Sequence, residues 1–63
     1  MKTVILDGNK FIGLVNEQDI VIITHYFRDG KWVKIQTPSA CTFNHLQKVV
    51  AIDRIIEGPC TIA

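Results

Sequence analysis

Two Asp-Gly pairs, Asp7-Gly8 and Asp29-Gly30, each stand between apolar runs and divide the first half of the chain into segments of strand length. Both central positions of a type I′ hairpin turn need φ above zero, which Gly adopts freely and Asp tolerates, so each pair predicts a chain reversal. The segments between these turns are dominated by β-branched side chains. Valine and isoleucine together number 16, against three leucines and three alanines. Their stiffness at χ1 disfavours helices and suits a pleated surface. The expectation is sheet, with strands over 2–6, 10–15, 20–27 and 31–37 and a connecting turn at Asn16-Glu17-Gln18-Asp19. Pro38 ends the fourth strand because it has no N–H for the ladder, and Ser39 and Ala40 read as loop.

Beyond Ala40 two patterns compete. Asn44 with Gln47 three residues later resembles a capping box, and Gly58-Pro59 resembles a helix stop, which together allow a helix over 45–57. The faces of that helix would be poor. At 100° per residue Asp53 lands between Val49 and Val50, and Ile55 falls on the far side from Leu46. The preferred reading is one helical turn over 44–48 followed by a fifth strand over 49–57, with Asp53 and Arg54 as solvated residues of a sheet edge. The fold class expected is mainly β, a small five-stranded barrel or strongly bent sheet. The alternative is a four-stranded sheet with a C-terminal helix. Residues 1–63 make a single small β domain.

A chain of this length buries only about 60% of the surface it exposes when unfolded. Here 48% of the residues are apolar and the mean hydropathy is +0.22, so apolar surface is expected to remain for a neighbour to cover. Self-association into a homo-oligomer follows. The net charge is +1, which calls for neither DNA nor an anionic membrane. No apolar run reaches membrane-spanning length and no secretory leader pattern opens the sequence, so a cytoplasmic protein without membrane contact is expected. In that compartment Cys41 and Cys60 are expected as reduced thiols. With His25 and His45 they do not make the paired short spacings of a structural zinc site, so no metal or other cofactor is expected.

The stretch from Val4 to Ile23 has an apolar strand, a turn ending in Gly8, a second strand with Gly13 inside it, and Asp19 opening a third apolar strand. In these features it resembles the first signature of the Sm-like family, which includes the LSm proteins and the RNA chaperone Hfq. Phe43-Asn44-His45 loosely resembles the second signature. The resemblance implies a five-stranded bent barrel, related in shape to SH3 barrels, that assembles into rings and binds single-stranded RNA.

Catalysis is not expected. A nucleophile would need a base held by a third group, and neither His25 nor His45 stands in such a context. Most of the carboxylates fall at turns or strand ends, and the four glycines are isolated and form no phosphate-cradling loop. The second hairpin is the most informative segment. A two-residue loop at Asp29-Gly30 pairs Arg28 with Lys31, Phe27 with Trp32, Tyr26 with Val33 and His25 with Lys34. Strict alternation then puts Ile20, Ile22, Thr24, Tyr26, Val33, Ile35 and Thr37 on a core face, and leaves the opposite face mixed. His25, Phe27, Arg28, Lys31, Trp32 and Lys34 are the expected partner-binding residues. An aromatic pair flanked by cations suits a subunit or protein interface and also the stacking of nucleic-acid bases. The function expected is a non-catalytic, self-associating binding module acting on a protein partner, as an accessory factor or inhibitor. An RNA-binding ring and a small-ligand sponge are the alternatives.

Overall fold

A computed structural model describes residues 1–58, so Pro59 and Cys60, and the expectations attached to them, lie outside the described residues. The elements follow in the order β1 (Lys2–Leu6), β2 (Phe11–Val15), β3 (Ile20–Arg28), β4 (Lys31–Lys34), β5 (Ala40–Thr42), α1 (Phe43–Val49) and β6 (Ile52–Glu57). All six strands join one antiparallel sheet in the order β4-β3-β2-β1-β6, with β5 also paired to β3. The fold is mainly β. Of the two expected forms it is the strongly bent sheet, because among the described residues β4 and β6 do not pair with each other and no barrel closes.

The second Asp-Gly pair makes the two-residue loop its chemistry suggests. Asp29 and Gly30 have φ of 52° and 78°, and the four cross-strand pairs of this hairpin are those inferred from the sequence. The first pair behaves differently. Leu6 is opposite Phe11, so the loop holds four residues and β2 starts one residue later than expected. Asp7, Gly8 and Asn9 are all left-handed, and the Lys10 N–H closes the turn on Leu6 O at 2.9 Å. The Asp53 carboxylate stabilises this turn from across the sheet, accepting the Asn9 N–H at 2.8 Å. Asp53 is the extra residue of a bulge in β6, between Ile52 and Arg54.

The fourth strand departs most from expectation. Its ladder stops at Lys34, the chain leaves the sheet over residues 35–39, and it rejoins β3 as β5, where loop was expected. Bonds from Ile35 N–H to Thr24 O (2.9 Å) and from Ile23 N–H to Ser39 O (3.1 Å) pin the two ends of the excursion. Pro38, which has no N–H to give, sits inside it.

Thr42, and not Asn44, caps α1, its hydroxyl accepting the His45 N–H at 3.2 Å. The Val50 N–H returns to Leu46 O at 2.9 Å, and the chain re-enters the sheet at Ile52. A short helix followed by a strand is the arrangement preferred from the sequence.

The two faces of the sheet follow from the register, since residues directly opposite one another share a face. The first face carries Val4, Leu6, Val15 and Val21, which pack with Leu46 of α1 into the core; Ile23, Cys41, Phe43, Val50 and Ile52 lie against it. Gly13 lies within this layer because nothing larger fits. A Cβ there would stand 2.8 Å from Val21 Cγ1 and 3.2 Å from Val4 Cγ2. Adjacent Ile12 and Gly13 point to opposite faces, yet Gly13 is opposite Ile23 while Ile12 is opposite His25. Ile23 and His25 therefore lie on opposite faces although they are two residues apart, and the unpaired Thr24 takes up the change. This corrects the strict alternation expected for β3. Val21 and Ile23, assigned to the mixed face, belong to the core. Ile20 and Ile22, assigned to the core, belong to the other face.

Candidate functional site

Two features stand out, one on each face. The second face carries Thr3 and Ile5 from β1, Ile12 and Leu14 from β2, Ile20, Ile22, His25 and Phe27 from β3, Trp32 and Lys34 from β4, and Arg54 and Ile56 from β6. The helix α1 lies against the other side. Ile12 and Thr3 are nevertheless buried, Ile5, Leu14, Ile22 and Trp32 are half-buried, and Phe27 and Ile56 are exposed. Apolar side chains thus recur across this face from the aromatic hairpin to Ile56 at the β6 edge, with exposed Lys34 and Arg54 among them.

Phe27 and Trp32 meet edge to face, with ring centroids 5.1 Å apart and planes at 71°, a favoured aromatic geometry. Phe27 stays 46% exposed. Arg28, Lys31 and Lys34 are exposed around the pair, and the Phe27 N–H bonds to Lys10 O at 2.8 Å, which brings a fourth cationic residue alongside. Asp29 is the acidic residue of this tip. It stands 3.6 Å from Arg28 Nε, an exposed ion pair that contributes little. Five of the six expected contact residues thus gather at the surface of one hairpin.

His25 does not join them. Only 6% of its surface is exposed, so it offers little to a partner. The Thr24 hydroxyl donates to Ile12 O at 3.3 Å, which leaves its oxygen to accept from His25 Nδ1 at 2.9 Å and makes Nδ1 the protonated nitrogen. Nε2 is then a buried acceptor with no hydrogen-bond partner among the described residues. Alternation suggested that this side chain was open. The bulge at Thr24 and the packing of Ile12 opposite it enclose it instead.

The second feature is a cavity of about 320 Å³ on the first face, lined by Leu6, Phe11, Ile23, Ile35, Ser39, Leu46 and Val50. The departure of the chain from the sheet over residues 35–39 opens it, with α1 as one wall. Ser39 is its single polar residue, so it suits an apolar group better than a charged one. Nothing local in the sequence signals this cavity, because its lining comes from five separate segments.

Cys41 is a free, half-buried thiol. Among the described residues no three His, Cys, Asp or Glu side chains gather closely enough to hold a metal ion, and no helix is long and apolar enough to cross a membrane. No family model, curated protein or solved structure matches the chain.

Proposed function

We propose that the protein is a non-catalytic binding module that self-associates and captures a protein partner through the Phe27–Trp32 hairpin. The observation carrying this reading is a largely apolar sheet face that no helix covers among the described residues and that ends in an aromatic pair. Half-buried Ile5, Leu14 and Ile22 share this face with exposed Phe27, half-buried Trp32 and exposed Lys34, and Arg28 and Lys31 project from the other side of the same hairpin tip. Aromatic residues and arginine are enriched at the centres of protein interfaces, and the cationic rim favours a partner surface carrying carboxylates. His25 contributes by supporting the hairpin from beneath, not by contact.

The test compares wild type with the Phe27→Ala/Trp32→Ala double variant in cross-linking and mass spectrometry of captured proteins. Proteins held by the wild type and lost from the folded double variant are the expected result. The same proteins captured equally by both would end the proposal. Absorbance at 260 nm that persists through purification and falls after a high-salt wash would instead favour the RNA-binding alternative that the Sm-like resemblance implies, since phosphate contacts weaken steeply with salt.

The cavity supports a second reading, a small-ligand sponge. Its volume of about 320 Å³ lies at the lower end of the range used for small molecules, and its lining points to a compact apolar ligand. A small molecule released when the purified protein is denatured, and absent from an Ile23→Trp variant that fills the space, would establish this reading. Release of nothing from the wild type would remove it.

A further inference from the structure

The two ends of the sheet are guarded differently. At one end β4 is four residues long and carries Lys31 and Lys34, the short, charged form by which natural sheets avoid adding strands. At the other end β6 spans six residues, Ile52–Glu57. It pairs only with β1 among the described residues and leaves Ile55 50% and Ile56 38% exposed. The bulge at Asp53 and the charge of Arg54 blunt the first half of this edge, as such devices do, so the open template for another strand is the stretch around Ile55 and Ile56, whose exposed side chains lie one on each face.

We infer that β6 pairs antiparallel with β6 of a second copy of this chain, about a two-fold axis at Ile56, to make one continuous sheet. The inference rests on the self-association in the reading above and specifies where it occurs.

Backbone bonding and charge select this register independently. The Gly58 N–H donates to Met1 O (3.0 Å) and the Asp7 N–H to Ala51 O (2.9 Å). An antiparallel ladder bonds through every second residue, so Arg54, Ile56 and Gly58 are turned to β1. The N–H and C=O groups of Ile55 and Glu57 are then turned outward. Centring on Ile56 sets Ile55 opposite Glu57 of the second copy, twice by symmetry, and joins all of these outward groups.

Charge leads to the same place. A two-fold axis between neighbouring antiparallel strands stands perpendicular to the sheet, so it can pass only through a residue opposite itself. Centring on Arg54 opposes two guanidinium groups, and centring on Glu57 opposes two carboxylates. A centre at Ile55 sets Asp53 against Glu57 of the second copy. Like charges directly opposite are destabilising. Ile56 avoids all three clashes, puts Arg54 opposite Gly58, and meets its own copy on the apolar second face.

Solution mass and one cross-link test this register. The wild type is expected at twice the 7.1 kDa chain mass. Ile55→Pro removes an outward N–H and leaves the bonds to β1 intact, so it is expected to give the monomer mass at concentrations where wild type is dimeric. With Cys41→Ala and Cys60→Ala as background, Ile56→Cys is expected to form a disulfide dimer under mild oxidation, because a non-hydrogen-bonded pair sits about 4.5 Å apart at Cα and lies within disulfide reach. Ile55→Cys, facing Glu57 instead, is expected to cross-link far less. If Ile55→Pro fails to fold, the two cysteine variants decide alone. An associated wild type whose Ile56→Cys variant cross-links no better than Ile55→Cys overturns this interface and leaves the self-association reading standing. A wild type that is monomeric at every concentration overturns both.

Discussion

The helix-bearing face of the sheet and the face behind it are built from the same kind of side chain. Val4, Leu6, Val15 and Val21 line the first, and Ile5, Ile12, Leu14 and Ile22 line the second. They differ in what lies on them. The seven residues of α1 place Leu46 over the first face and turn it into a core, whereas the second face runs out to exposed Phe27 and Ile56. An alternating strand identifies two faces but ranks neither when both are apolar. In this chain the seven-residue helix makes the choice, and the other face carries no helix among the described residues.

The comparison breaks most sharply at Leu46. Leu46→Ala removes the helix's buried anchor and is expected to cost about 2–5 kcal/mol, measured by urea denaturation. A loss below about 1 kcal/mol would mean that α1 does not define the core. Gly13→Ala is expected to cost about 1–3 kcal/mol, because its Cβ would collide with Val21 and Val4 within the packed layer. An unchanged denaturation midpoint would show that this layer has room to move. The smallest effect on stability is expected from Ile56→Thr on the second face, a loss of about 1 kcal/mol or less accompanied by a fall in solution mass. A fall in stability matching that of Leu46→Ala, with the mass unchanged, would make the second face a core in its own right and abolish the contrast.

Much of the fold was legible because its signals are local. Asp29-Gly30 specifies the second hairpin and its register, since left-handed backbone at both positions allows one tight reversal. The β-branched run after Val49 resists a long helix, and β6 follows. The aromatic pair and Lys34 share a face by register, and Arg28 and Lys31 lie beside them at the tip, so five of the six expected contact residues came together on one hairpin. The misses share a cause, which is that each depends on residues distant in the sequence. The first turn widens to four residues with Asp53 holding it from 44 positions away. The strand expected over 31–37 breaks because residues 35–39 swing out of the sheet, and the cavity they open is lined from five segments.

Periodicity and turn chemistry, carried by a few adjacent residues, were enough to specify strands, reversals and pairing. Which side of β3 became interior, and whether His25 met water or was closed off, depended on two things no short window contains: an unpaired Thr24 that reverses the faces midway, and a helix docking on one of them. Burial is a property of the assembled layers, and an alternating strand with two greasy sides carries no local term that tells them apart.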